Sequence, residues 1–457
     1  CGQVHEPLWT IPQEIIFIII STRVIKTIGR VHNGYVQFAF IIPLTKKNIF
    51  RPFSTTMDTV LELRCPPLPF VRIGLIGLGR RGMKTLERYA FIKDAAIRCL
   101  ADIDPTRLDA ANESLERSGR PRADLHQGPE AWREVCHRAD IDLIYICTDW
   151  ATHCDMAVEA MRHGKHVAVE VPAATTIDEC HQLVETAEAT RRHCFMTENC
   201  CYDHFALSTL EMAHKGLLGE ITHCEGAYIH NLRDTFGLTG NTDNTAGNWM
   251  EKSCARHKGN PYPTHGIGPI GWLLGLHRGD RMDYLVSLTS RGCGPDHLLG
   301  RVNSTLIRTV KGASILLQLD VTTMRPYSRL QTVCGTKGYV QKYPVPTIKN
   351  LTGNTILTGE EALAEARLHT QMHAARLWQE GHRKNVPNEM NYTMDARLIH
   401  CLRHGLPLDI DVYDAAEWSC IAELSERSAR EGSRPISIPD FTHGHWHDLT
   451  AYTMYSA

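Results

Sequence analysis

From Val71 onward, short runs of branched and aliphatic residues alternate with longer stretches of helical periodicity, a pattern that predicts a parallel sheet covered by helices. Strands are expected at Val71 to Ile76, Ala96 to Ala101, Asp142 to Cys147 and His166 to Val169. The helices between them have recognisable ends. Asp104 followed by Pro105 sets a side-chain acceptor ahead of a residue suited to the first turn. Gly164 closes a second helix, and Thr176 with Glu179 has capping-box spacing before a run to Arg192.

After about Cys194 the rhythm changes. One more helix, around Leu207 to Leu217, leads into runs of alternating polarity: THCEGAYIHNLR, MDYLVSLTS, STLIRTV, ASILLQLDVTTM and RLQTVCG. Lys311 and Gly312 fall between two of these as a hairpin turn does. Helices are expected near Glu360 to Glu380 and Tyr413 to Ser428. The second half therefore reads as an α+β domain on an open, mostly antiparallel sheet, a face available for homo-oligomerisation.

The first 65 residues lack this order. Ile15 to Ile20 is a short apolar run, far below the ~20 residues that cross a bilayer, and charge follows from Thr22 to Arg30. No membrane span is expected there. No methionine precedes Met57, so the stretch reads as upstream sequence or a poorly ordered extension, and without a signal segment the compartment, cytoplasm or periplasm, stays open.

Composition narrows the function. With 457 residues, 43% hydrophobic and 22% charged, the chain can fill two cores, and its net charge of -2 offers no field to attract nucleic acid or an anionic membrane. Small-molecule chemistry is the expectation. The 16 cysteines are scattered, several in apolar runs, and no CxxC pairs are present, so no metal site is expected. The tail histidines His443, His445 and His447 read as adventitious.

A dinucleotide site is suggested by Gly77-Leu-Gly79-Arg-Arg-Gly82, which ends a predicted strand and opens a predicted helix. Gly77 permits the tight turn, Gly79 lets a pyrophosphate approach the backbone, and Gly82 lets helix and strand pack closely, with the helix amides facing the phosphates. Asp102 lies 20 residues beyond Gly82, after the second strand, where a carboxylate holds ribose hydroxyls and disfavours a 2′-phosphate. NAD is thus expected in a Rossmann domain. Arg80 and Arg81 sit in the same loop, although solvated surface charge is the commoner meaning of such arginines. The end of the third strand, Thr148-Asp149-Trp150-Ala151-Thr152-His153, lies at the sheet edge where ligands of open α/β folds bind. His153 reads either as a contact of the nicotinamide half or as a first-turn helix residue.

GLGRRG, TDWATH and Val169-Glu170-Val171-Pro172-Ala173 together resemble the glucose-fructose oxidoreductase and inositol dehydrogenase family. Its dehydrogenases carry Glu-Lys-Pro here, and the lysine exchanges the hydroxyl proton; this chain has Val171, which cannot. Tyr262-Pro-Thr-His265-Gly-Ile-Gly-Pro269 resembles the signature of glycoside hydrolase family 109, the NAD-dependent α-N-acetylgalactosaminidases. The similarity extends to Glu198-Asn-Cys-Cys-Tyr202, Tyr228-Ile-His230-Asn-Leu-Arg233, Arg325-Pro-Tyr327-Ser328 and the closing segments Leu408 to Ala416 and Ile438 to Thr442. The chain departs from the pattern at Met250, after Trp249, and at Pro387-Asn388-Glu389.

The resemblance implies boundaries and roles. An extension would cover 1–66, an NAD-binding Rossmann domain 67–193, a substrate domain 194–442 and a tail 443–457. Gly77, Gly79, Arg80, Arg81, Gly82, Asp102, Thr148, Trp150, His153, Glu170 and Asn199 would hold the cofactor, with Tyr202, Arg233, Tyr262, His265 and Tyr327 around the sugar. His265, with Tyr262, would take the O3 proton as tightly bound, recycled NAD removes hydride from C3, and Tyr202 would take the C2 proton before the C1 substituent leaves. No pair of carboxylates is then needed. An ordinary NAD-dependent sugar or cyclitol dehydrogenase is the alternative, and a catalytically silent sugar or cofactor sensor a third.

Overall fold

The computed structural model describes residues 59–238, 248–294, 296–350 and 355–450. The expected extension up to residue 58 and the end of the expected tail from 451 lie outside the described residues.

The first half runs β1 (Val71–Ile76), α1 (Arg80–Tyr89), β2 (Ala95–Asp102), α2 (Pro105–Arg117), β3 (Asp124–Gln127), α3 (Ala131–His137), β4 (Leu143–Ile146), α4 (His153–Arg162), β5 (His166–Val169), α5 (Ile177–Thr190) and β6 (Cys194–Met196). Its six strands pair in parallel in the order β3-β2-β1-β4-β5-β6. Strands covered on both faces have no polar side to show, and β4 and β5 are buried at every position. Two strands escape the hydrophobic pattern for physical reasons. β3 is a polar edge strand with three exposed residues, and β6 has only three residues, the run CFM. The expected caps form: Asp104 accepts from Thr106 N at 2.9 Å, and Thr176 and Glu179 close a reciprocal capping box.

The second half continues with α6 (His204–His214), β7 (Ile221–Ile229), α7 (Asn248–Arg256), α8 (Thr264–Leu274), β8 (Met282–Thr289), β9 (Val302–Thr309), β10 (Ser314–Asp320), β11 (Ser328–Gly335), β12 (Gly338–Gln341), β13 (Thr347–Asn350), β14 (Ile356–Thr358), α9 (Glu360–Arg367), α10 (His373–Arg383), α11 (Glu389–His404), α12 (Val412–Arg430) and β15 (Ile436–Ser437). The nine-stranded sheet runs β14-β13-β12-β11-β7-β10-β9-β8-β15, antiparallel except where β7 meets β10. The expected open, mostly antiparallel sheet is therefore present. Residues alternate along β9 and β10, with Leu288 of β8 and Leu306 of β9 exposed, while α12 packs against β8 and α8 against β7. No helix among the described residues is long and apolar enough to cross a membrane.

Buried polar contacts tie the helices of the second half to the first sheet. From α11, Asp395 receives Arg88 Nε at 3.0 Å and Tyr145 OH at 3.0 Å, and all three side chains are buried. Removing the carboxylate leaves an uncompensated guanidinium in the core. Asp395→Ala is expected to lower unfolding stability by about 3–5 kcal/mol, read as a lower urea midpoint at unchanged slope.

Candidate active site

The carboxyl edge of the first sheet carries a cradle. Gly77 turns with φ +86°, and a Cβ there would come within 2.7 Å of Cys147 O; a Cβ on Gly82 would lie 1.9 Å from Gly77 O. Gly79 differs, because nothing among the described residues lies within 4 Å of its Cβ position. It is also the N-cap of α1 and supplies no side-chain acceptor, so the first-turn amides are left for an anion. Asp102 accepts Leu78 N at 2.5 Å and Asp104 N at 2.9 Å, which holds its carboxylate against the glycine turn. Open space over Gly79, free amides and an adjoining carboxylate fit a dinucleotide.

Beside the cradle, Arg81 Nε lies 2.9 Å from Glu170 Oε1, so this arginine is paired rather than simply solvated; Arg80 is exposed. Trp150, in the short turn 150–152 after β4, stacks on the Tyr262 ring at 5.2 Å and meets Trp249 edge-on at 5.4 Å. The loop after the first domain's fourth strand thus touches the start of α8.

The glycines of α8 make its delivery possible. A Cβ on Gly226 of β7 would lie 2.3 Å from Gly266 O, and one on Gly268 would lie 2.7 Å from Glu198 Cγ. With both absent, α8 sits directly against β7 and the 198–202 segment. His265 then meets Glu198: Nδ1 lies 2.8 and 2.9 Å from the two carboxylate oxygens, and Nε2 lies 3.0 Å from Tyr262 OH. Glu198 has no exposed surface, and its Oε1 also accepts the Cys200 backbone N–H at 2.9 Å.

Electrostatics fixes the resting protonation of this row. Burial alone would lower the His265 imidazole, but Cys200 and Glu198 beside it, with their hydrogen bonds, outweigh that and raise it to about 10. Burial likewise pushes the Glu198 carboxyl up, and the imidazolium more than reverses it. Burial holds the Tyr262 phenol well above its usual range. A second pair stands edge-on to the first: Tyr228 OH lies 2.9 Å from His230 Nδ1, and the Tyr228 ring faces Tyr262 and His265. Here burial, Arg80 and His265 all lower the His230 imidazole, so it is neutral where His265 is charged. Tyr327 lines the exposed side, edge-on to His230 at 5.2 Å.

Four expected residues stand elsewhere. Tyr202, expected as the C2 base, is completely buried; its phenol donates to Asp409 Oδ2 at 3.2 Å and its ring packs on Trp272. Asp409 is itself clamped by Arg397, so the Tyr202 proton is committed to a core ion pair. His153, offered as a nicotinamide contact, is also fully buried, with Nδ1 2.8 Å from Pro172 O and Nε2 3.2 Å from Thr148 O, and burial lowers its imidazole. It braces two loops of the cradle, while Thr148 accepts the Thr152 hydroxyl at 2.8 Å. Asn199 donates to Asn391 Oδ1 at 2.9 Å, and Arg233 reaches Met324 Sδ beyond the end of β7. Of the departures, Met250 packs against the core and Asn388 caps α11 through Asn391 N.

Glu198 carries the arrangement but was not singled out from the sequence. Its only sequence signal is its place in Glu198-Asn-Cys-Cys-Tyr202, and nothing local says that its partner lies 67 positions away. Tyr228 near the end of β7 and His230 just beyond it likewise carry no local signal of a role.

Both halves of the chain resemble known proteins. Residues 202–448 match the family model for the C-terminal domain of glycosyl hydrolase 109, and residues 71–198 match the oxidoreductase family with an NAD-binding Rossmann fold. The chain is 53% identical over 405 residues to an alpha-N-acetylgalactosaminidase of Bacteroides fragilis, covering 85% of this chain and 95% of the relative. A glycosyl hydrolase family 109 protein of Phocaeicola vulgatus is 52% identical, over 85% of this chain and 98% of its own. Among solved structures, a levoglucosan dehydrogenase in complex with NADH and levoglucosan has a similar fold, with a TM-score of 0.60 at 17% identity over 81% of this chain and all of that one.

The raised His265 value has a testable source. Glu198→Gln removes the charge with little change of shape and is expected to lower the ring titration from about 10, followed by histidine-ring NMR. A titration left near 10 would sink the assignment to Glu198. Because the folded His265 value lies above and the folded Glu198 value below that of the unfolded chain, the pair's contribution to stability is full between about pH 4.5 and 6.5, is lost as pH rises through about 10, and falls away in acid as Glu198 takes a proton.

Proposed function

Because the chain belongs to glycosyl hydrolase family 109, we propose that it hydrolyses terminal α-linked N-acetylgalactosamine, or a closely related sugar, with tightly held NAD restored within each turnover. The observation that carries the reading is the buried Glu198, His265 and Tyr262 row beside a dinucleotide cradle, where Val171 leaves no lysine to exchange protons. Gly77, Gly79 and Gly82, the first amides of α1 and Asp102 would hold the cofactor, with Arg81 and Glu170 at its inner edge. Bound NAD supplies a site that accepts a hydride from sugar C3 and gives it back, so hydrolysis carries no net redox change.

The chain's own residues move the protons. Tyr262 OH exchanges a proton with the sugar O3 hydroxyl, and the imidazole behind it takes or returns that proton while Glu198 keeps the ring oriented and its charge compensated. The ring rests as the imidazolium, so it must release a proton before it can take the one from O3, and it returns that proton when C3 is reduced. Once C3 is a carbonyl, the neighbouring C2 hydrogen becomes acidic. The neutral His230 imidazole, reached directly or through Tyr228, is the base for it. Loss of the C1 substituent, addition of water and the reverse proton transfers complete hydrolysis. Tyr327 lines the sugar side, while Tyr202 and His153 position the walls.

Hydrolysis of 4-nitrophenyl α-N-acetylgalactosaminide in heavy water, without added cofactor, tests the route. Product carrying deuterium at C2 is expected; a product free of deuterium would exclude elimination. His265→Ala is expected to lower kcat by about 10²–10⁴-fold while dinucleotide remains bound. Stoichiometric accumulation of NADH would instead identify a dehydrogenase.

A further inference from the structure

Three groups of histidine, cysteine and acidic side chains converge among the described residues. Their chemistry separates them. In Cys65, His166 and His193, the His166 Nδ1 accepts the backbone N–H of His193 at 3.2 Å, which puts the ring proton on Nε2 and leaves no lone pair for an ion. In His137, Glu159 and His163, the two imidazoles are exposed at the surface, where water competes for any ion. The third group, Glu198, Cys200 and His265, is buried throughout, and its donor atoms all lie within 4.8 Å of one another.

We propose that Glu198, Cys200 and His265 form a binding site for a thiophilic divalent cation of the zinc type, and that a cation seated there blocks turnover. The first part rests on donor geometry alone; the second rests on the reading of Tyr262 and His265 as the proton carriers.

One sulfur, one imidazole nitrogen and one carboxylate oxygen are the donor types of a zinc site with an open fourth position. The ring orientation suits it. Nδ1 faces the group, and Nε2 can keep its hydrogen and donate to the Tyr262 oxygen 3.0 Å away. Glu198 Oε1 keeps the Cys200 amide while Oε2, 2.9 Å from Nδ1, turns to the ion. Ligands about 2.0–2.3 Å from a tetrahedral zinc stand about 3.3–3.8 Å apart, so the widest pair has to close by about an ångström. Cys200 ends a short side chain and Glu198 a flexible one, so that movement needs no backbone shift.

A dication seated there would also stand against the Glu198 carboxylate, which has no exposed surface. The cost is functional, since the ion occupies Nδ1 and the carboxylate that orient the ring and balance its proton.

The test titrates the EDTA-treated, NAD-loaded enzyme with Co²⁺ and then Zn²⁺. In the wild type, a thiolate-to-cobalt charge-transfer band saturating at one equivalent is expected, bleached by Zn²⁺, with nitrophenol release falling in step. Cys200→Ser is expected to lack the band and, in whatever nitrophenol release it retains in EDTA, to need ~100-fold more Zn²⁺ for half inhibition. No band in the wild type, or an equal band in Cys200→Ser, overturns the site; a band without loss of activity overturns the blockade. Should the serine variant lose activity in EDTA, X-ray absorption of zinc-loaded wild type decides: one sulfur with imidazole nitrogen supports the site, and a shell without sulfur overturns it. Failure of the EDTA-treated wild type to release nitrophenol counts against the glycosidase reading and leaves the cobalt spectrum free to decide the cation site.

Discussion

A carboxylate with no exposed surface must be answered by a proton or by a cation, and the Glu198 side chain is the place where this fold meets that demand. The answer comes from His265, a residue on another element that reaches Glu198 only because α8 lies nearly in van der Waals contact with β7. The packing of the second domain and the protonation of the site are therefore one problem. A bulkier residue at Gly226 or Gly268 would separate the pair and strand a charge in the core. Once the pair is formed, the imidazole holds Tyr262, Tyr262 stacks on Trp150, and the contact reaches the loop beside the dinucleotide cradle.

The same demand is met differently a few ångströms away. His230 has no carboxylate behind it, only a phenol, and it feels positive charge from Arg80 and His265. Two histidines in one aromatic cluster thus rest in opposite states. Each holds its proton, or lacks it, because of which side chains surround it.

Much of the fold could be read along the chain because its cause is local. Buried parallel strands demand uninterrupted apolar runs, and Asp104, Thr176 and Glu179 cap helices through atoms a few residues away. β3 was illegible because an edge strand has no face to hide, and β6 because three residues establish no period. In the site, Tyr262 and His265 were visible as neighbours on one helix start. Tyr202 looked equivalent by type, yet its environment depends on Asp409, 207 residues later. Glu198 was silent for the same reason. Residue type tells what chemistry a side chain can do; which chemistry it is free to do depends on long-range partners that no local spacing records.

The three glycines of the cradle are not alike. Gly77 and Gly82 are required by the chain itself, since a methyl group at either would strike backbone oxygen, so a substitution there is felt during folding whatever is bound. Around a Cβ at Gly79 the described residues place no atom within 4 Å beyond the chain neighbours. That vacancy means the apoprotein has no steric quarrel with a side chain at this position, and any intolerance would be imposed by the guest. Of the motif's three small residues, two therefore speak about architecture, and a single one speaks about the ligand.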